Sequence, residues 1–224
     1  MMTHGALQLE ELRRELGPRL RSAEQVAPPP GVSSGWTALD RFLLWQGFPK
    51  SAVSLLVSES GGATTLWLKS AALVTKARQW SAWVNAPDRS LTSWGLQHRS
   101  VQLDRFIYVS APQDERQLLW MLQELMSLDL FELIGCDLGS WEFRDHQILK
   151  LKKLALRHQT ALVVCRQKPP RRLSSFYSLI LHFHQQQVKV VRALHRPTPH
   201  ILERRDLYAD TLPQLAAGRR ALCG

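Results

Sequence analysis

Residues 52–65, AVSLLVSESGGATT, decide the fold of this 224-residue chain. The run 52–57 is almost wholly apolar, which is typical of a strand buried on both faces of a sheet. Gly61 and Gly62 follow as a turn, and a helix is predicted over residues 64–77. A buried strand that turns directly into a helix is the repeating unit of α/β folds.

The alternation of strands and helices continues along the chain. It indicates βαβ units, so an α/β fold is predicted, with a mainly parallel β-sheet flanked by helices on both faces. The last two strands are separated only by the polar turn 185–187, which predicts a C-terminal antiparallel hairpin. Further strands are predicted at residues 80–85, 106–110, 130–136, 161–165, 177–183 and 188–193, and further helices at 113–127 and 148–158.

Three segments are predicted along the chain. Leucines at positions 9, 12, 16 and 20 have helical spacing, and the run APPPG at 27–31 breaks the helix that they predict. The remainder is long enough for one domain with a full hydrophobic core. The predicted boundaries are an N-terminal helical arm with a proline-rich linker at 1–31, an α/β core at 32–209 and a C-terminal tail helix at 210–224.

The composition favours a cytoplasmic protein. No apolar run approaches the roughly 20 residues of a membrane-spanning helix, and the charged N-terminus has no signal-peptide core. The three cysteines, Cys136, Cys165 and Cys223, are scattered without metal-ligand spacing, and two of them lie in apolar runs. Reduced thiols are therefore expected, and no metal or cofactor is predicted.

The net charge of +10 is unevenly distributed. Residues 144–205 contain fourteen lysines and arginines against two acids, a charge of +12, whereas the rest contains 15 against 17, a charge of −2. So concentrated a positive charge predicts a polyanionic partner, with DNA or RNA as the first candidate. The alternative is a positively charged surface that only keeps the protein in solution.

Three stretches resemble, in order and spacing, the core of the RecA-like ATPases. The first is SGWTALD at 34–40, followed by GFPK at 47–50 and the strand and turn of 52–65. The second is the strand 133–137, and the third is the strand 162–167. The resemblance implies a P-loop around Gly61, Gly62, Ala63, Thr64 and Thr65, a Walker B carboxylate at Asp137 and a γ-phosphate sensor at Gln167. For Asp137, the capping of its own strand end is an equally good interpretation.

The chain departs from this family at two catalytic positions. Where the P-loop pattern has its first glycine and its lysine, this chain has Val57 and Ala63. Pro87 stands nearest the place of the family's glutamate that polarises water, with Asp88 beside it. Loss of one charge that stabilises transferring phosphoryl oxygens typically costs about 10²–10³ in rate. A non-catalytic protein is therefore predicted; the rival is a weak DNA-stimulated ATPase in which Lys50, Lys69 or a partner's residue replaces the lysine.

The resemblance places a DNA-contacting loop directly after Gln167. Here that position holds the sequence KPPRRLSS, residues 168–175, with cations suited to contact a phosphate backbone without reading sequence. The predicted DNA-binding residues are Lys168, Arg171 and Arg172 in this segment, Lys150, Lys153 and Arg157 on the preceding helix, and Arg192 and Arg196 in the tail, where Lys189, Arg204 and Arg205 add charge. The alternative for the helical lysines is an ordinary solvated face.

Within the superfamily the chain most resembles the ImuA family, the short RecA-like partners of bacterial mutagenesis cassettes. Its size, its leucine-rich arm and its altered nucleotide site carry that resemblance. It implies an adaptor in damage-induced translesion synthesis that binds single-stranded DNA and an ImuB-type inactive Y-family polymerase, with contact to RecA as a related expectation. A further alternative is a cell-division inhibitor similar to SulA, which the basic half disfavours.

Overall fold

The computed structural model describes residues 31–208, except Ser60, residues 86–90, Ala111, Gln113 and His195. Outside the described residues lie the predicted tail helix and the predicted arm up to residue 30, together with Pro87, Asp88 and Cys223. The helices are α1 Thr37–Phe42, α2 Gly62–Lys76, α3 Ser93–His98, α4 Glu115–Ser127, α5 Asp145–His158 and α6 Arg205–Tyr208, with a 3-10 turn at Leu103–Arg105. The strands are β1 Gly31–Val32, β2 Phe48–Pro49, β3 Ala52–Ser58, β4 Trp80–Val84, β5 Phe106–Val109, β6 Phe131–Asp137, β7 Ala161–Arg166, β8 Leu179–Phe183, β9 Gln187–Ala193 and β10 His200–Glu203.

Eight strands form one mixed sheet in the order β10-β9-β8-β3-β7-β6-β4-β5. The six strands from β8 to β5 in that order run parallel, while β9 is antiparallel to both of its neighbours, β8 and β10. Strand β3 lies in the middle, paired with β7 on one side and β8 on the other, and every residue of it is buried. The predicted α/β fold, its mainly parallel sheet and its C-terminal antiparallel hairpin are confirmed.

Two hydrophobic cores cover the two faces of this sheet. Alternate residues of a strand point to opposite faces. Leu56 accordingly packs with Leu66 of α2 in one cluster, whereas Leu55 packs with Leu118 of α4 and Ile148 of α5 in the other. We call these the α2 face and the α5 face of the sheet. The continuous apolar run at 52–57 is needed because both faces of β3 are covered.

Four tryptophans of the N-terminal half fill the α2 face. Trp67 of α2 and Trp83 of β4 are 0% and 1% exposed, and their ring centroids lie 4.4 Å apart. Gly135 of β6 makes room for them, because a Cβ there would lie 2.4 Å from Trp67 Nε1 and 2.5 Å from Trp83 Cε3. Trp36 and Trp45 are buried in the same core.

Several short elements were not predicted from the sequence. Strands β1 and β2 pair antiparallel, and β10 adds a third antiparallel strand beyond the predicted hairpin.

The Asp40 carboxylate of α1 binds the segment just before that helix. It accepts hydrogen bonds from the Ser34 backbone N–H at 3.0 Å and from the Ser33 hydroxyl at 2.7 Å. Burial raises the pKa of Asp40, and the Ser34 and Ser33 donors act against that shift.

No helix in the described part of the chain is long and apolar enough to cross a membrane.

Candidate functional site

The turn between β3 and α2 lies at the carboxyl edge of the sheet, where α/β proteins bind their ligands. Gly61 has φ +80°, a left-handed conformation that glycine adopts without strain, and α2 begins at the next residue. The Ser58 hydroxyl accepts a hydrogen bond from the Gly62 N–H at 3.0 Å. The first amide of α2 is therefore already satisfied from within the turn.

The residue at the lysine position faces the protein interior. Ala63 is 3% exposed and packs in the α2-face core. Thr64 is half-buried, and the hydroxyl of the half-buried Thr65 donates to the Gly61 carbonyl at 3.4 Å. The first turn of α2 therefore carries two threonine hydroxyls. A long side chain at position 63, in contrast, would have to displace atoms of the core.

The two lysines considered as replacements are held elsewhere. Lys50 precedes β3, at the opposite edge of the sheet, and forms an ion pair with Glu132. Lys69 lies two turns into α2, where its ammonium donates to the carbonyl of Leu207. Neither contact places its ammonium at the β3–α2 turn.

Two other side chains fill the space beside the turn. A Cβ at Gly62 would lie 2.7 Å from Phe183 Cδ1 at the end of β8 and 3.0 Å from Arg204 Nη2 after β10. The Arg204 guanidinium, on a residue only 9% exposed, is the cation that the fold brings to this turn. The sequence showed no sign of this contact, because the two residues are far apart in the chain and Arg204 follows a short polar strand.

Asp137 and Gln167 are brought to the same edge of the sheet as the turn. Asp137 ends β6 next to Cys165 of β7, and Gln167 directly follows β7, beside β3. Asp137 is buried and accepts a hydrogen bond from the Gly139 N–H at 2.9 Å, which supports the capping interpretation given above. Gln167 is exposed to solvent.

The basic segment after Gln167 connects the carboxyl end of β7 to the amino end of β8. Lys168, Arg171 and Arg172 are all exposed. The segment ends at Tyr177, which is buried in the α5-face core. The connection therefore runs along the face of the sheet that α5 covers, without a helix of its own.

Helix α5 carries the second group of predicted DNA contacts. Its inner side is apolar, with Ile148, Leu151 and Ala155 buried. Lys150, Lys153 and Arg157 are exposed and recur at the spacing of one helical face. We call these three cations, together with Lys168, Arg171 and Arg172, the basic face.

The two predicted contacts in the tail differ in where the fold places them. Arg192 donates to the Ser174 carbonyl at 2.6 Å and thereby fixes the end of the basic segment. Arg196 follows the end of β9, at the amino edge of the parallel strands, and lines a cavity of about 630 Å³ beside α1. The structure therefore brings Arg192 to the end of the basic segment but leaves Arg196 at the amino edge of the parallel strands.

The described residues hold no group of three or more histidines, cysteines or acids that could bind a metal. Burial lowers the pKa of His182 in β8, and the nearby His184 and Lys189 lower it further. Burial also raises the pKa of the Cys136 thiol, so that this cysteine stays protonated and unreactive. These features are those of structural residues.

Comparison with known proteins adds no assignment. No protein-family model matches the chain. No curated protein sequence is significantly similar to it. The functional conclusion therefore depends on the residues of the site and on the resemblance described above.

A lysine at position 63, where the P-loop pattern has one, should not give the chain ATP hydrolysis. Ala63→Lys would place an ammonium in the α2-face core beside Leu66 and Trp67, at a cost of about 2 kcal/mol or more in the free energy of unfolding. We expect a lower denaturation midpoint in urea and no phosphate release above background with ATP, Mg²⁺ and single-stranded DNA. Thr64→Lys, at the half-buried neighbour, is the matched control and should cost less stability. Phosphate release by Ala63→Lys that exceeds the wild-type background would contradict the prediction.

Proposed function

We propose that this chain is a non-catalytic, RecA-like adaptor that binds single-stranded DNA in damage-induced translesion synthesis. The observation that carries the proposal is the basic face. Six exposed cations lie on α5 and on the connection that follows the predicted sensor Gln167, on one side of the sheet. Such an array contacts phosphates without reading bases, which is the requirement for an adaptor at lesions of any sequence.

Three placements support a RecA-like core. The β3–α2 turn, Asp137 and Gln167 lie on neighbouring elements at the carboxyl edge of one mainly parallel sheet. The helix after β3 covers one face and the helix after β6 covers the other, which is the arrangement that creates a ligand crevice in α/β sheets. These are the relative positions that the resemblance to the RecA-like ATPases predicts.

Two features support a non-catalytic role. The buried Ala63 offers no charge to a phosphoryl group. The first amide of α2 is satisfied by Ser58, so the turn has already used one of the donors that would hold a phosphate.

The partner proposal follows from the resemblance to the ImuA family. An ImuB-type inactive Y-family polymerase is the expected protein partner, and RecA is a second candidate. Co-expression with an ImuB-type protein should give co-elution of the two chains in size-exclusion chromatography at high salt. High salt screens bridging by nucleic acid and so isolates a protein contact.

A salt series of single-stranded DNA binding tests the central proposal. Fluorescence anisotropy of a labelled oligonucleotide would be measured from about 50 to 200 mM salt, with and without ATP and Mg²⁺. We expect the affinity for the oligonucleotide to fall at least tenfold across that range and to be the same with and without ATP and Mg²⁺. Affinity that does not change with salt would refute electrostatic binding, and binding that requires ATP would favour the DNA-stimulated ATPase instead.

A further inference from the structure

Arg204 and Phe183 fill the space beside Gly62 at the β3–α2 turn. In phosphate-binding loops this glycine lets a ligand come close to the backbone. Here, the space next to Gly62 is filled by a phenyl ring and a guanidinium, at 2.7 and 3.0 Å from the position of an added Cβ. A ligand could reach the Gly62 backbone from this side only by displacing both groups.

The Arg204 side chain is held from the far side by the turn after β8. Its Nη1 donates to the His184 carbonyl at 2.9 Å, and its backbone N–H donates to the Gln186 carbonyl at 2.8 Å. A cation next to the positive end of a helix is electrostatically unfavourable. The carbonyl oxygen of His184 offsets that cost, since hydrogen bonds from a charged donor are among the stronger ones in proteins.

A second attachment joins the same segment to α2. The Lys69 ammonium donates to the carbonyl of Leu207, and the Leu207 side chain is fully buried in the α2-face core. Gly62 and Lys69 are seven residues apart, which is about two helical turns. Residues 204–207 therefore contact α2 at its first turn and again two turns further along.

We propose that residues 204–207 are an internal plug, in which the chain's own Arg204 takes the place of a ligand at the β3–α2 turn. Gly62 is then needed for the packing of Arg204 and Phe183, not for a phosphate. Residues 204–207, which follow β10, close the β3–α2 turn, and the turn opens only when they move. This inference does not depend on DNA binding, and either proposal can fail without the other.

A double-mutant cycle tests the contact. Gly62→Ala inserts a methyl group against Arg204 and Phe183, and Arg204→Ala removes two of the three nearest atoms. We expect Gly62→Ala to destabilise less in the Arg204→Ala background, so that the unfolding constant departs from additivity by roughly fivefold or more. Additive effects would overturn the proposal.

Hydrogen exchange and nucleotide binding test the closure itself. Arg204→Ala should speed amide exchange in the peptide 61–66 at least tenfold and leave α4 unchanged, whereas Arg41→Ala, the same charge loss at an exposed residue of α1, should leave both unchanged. If Arg204→Ala unfolds the chain, Arg204→Lys is the variant to measure. Unchanged exchange in 61–66 would overturn the plug, as would ATP-Mg²⁺ binding by the wild type that is lost in Arg204→Ala, because Arg204 would then be a ligand-binding residue.

Discussion

Removal of the three cations after β7 should weaken single-stranded DNA binding by roughly tenfold to a hundredfold at low salt. Lys168, Arg171 and Arg172 are exposed, so a Lys168→Ala/Arg171→Ala/Arg172→Ala variant loses charge without opening the core. Each phosphate contact to a single strand contributes about 0.7 to the slope of log K against log salt. We therefore expect that slope to fall by about two, measured by anisotropy over the same salt range.

The matched control removes three positive charges elsewhere. Arg41 on α1, Lys76 at the end of α2 and Arg78 just after it are exposed and lie away from the basic face; Arg78 forms only an exposed ion pair with Asp104 among the described salt bridges. The variant with all three changed to alanine has the same net charge as the first and should bind DNA nearly as the wild type does. Equal losses in the two variants would mean that overall charge, not the basic face, determines affinity.

Gly135→Ala should lower the free energy of unfolding by about 3 kcal/mol. The new Cβ would meet Trp67 Nε1 at 2.4 Å and Trp83 Cε3 at 2.5 Å, and both rings are rigid and buried. Close-packed interiors cannot absorb a methyl group at such distances without moving backbone or rings. For a domain of this size the melting temperature should fall by about 6–12 °C, which calorimetry would measure.

Gly95→Ala serves as the control for the Gly135 variant. It makes the same chemical change in α3, where the nearest atom to the new Cβ is the Thr92 hydroxyl at 3.2 Å, at the helix cap. Its effect on the melting temperature should be small. In addition, Trp67→Leu should recover part of the loss in the Gly135→Ala background. Full additivity of the Trp67 and Gly135 changes would mean that the two residues do not meet.

The sequence predicted the central layer of the molecule well. The apolar run at 52–57, the glycines after it and the later strands have local patterns that tertiary contacts reinforce. That position 63 holds an alanine, where the P-loop pattern has a lysine, needed only the sequence itself. The strands that end at Asp137 and just before Gln167 were also predicted from their apolar runs, and they are neighbours in the sheet.

The rest depends on contacts that no local pattern shows. Strand β10 is four residues of mixed polarity, too short for a period-2 signal. From the sequence alone, Arg204 is expected to be a solvent-exposed cation near the end of the chain. In the fold it is buried against Gly62, because β10 pairs with β9 in the sheet. Arg192 was predicted only as a DNA contact. No local pattern shows that its guanidinium donates a hydrogen bond to the Ser174 carbonyl.

The central position of β3 has a consequence for how the chain folds during synthesis. Ala52 pairs with Ala161, and Leu55 pairs with Ile180. The two strands that flank β3 are therefore synthesised more than one hundred residues after it. Contacts of such separation slow folding and leave apolar strands uncovered in the meantime. In a nascent chain that has reached β6, β4 already has both of its neighbours, β5 and β6, but β3 still lacks both of its own, β7 and β8. The apolar run that directs the native sheet is therefore also a segment that stays without its sheet partners for most of synthesis.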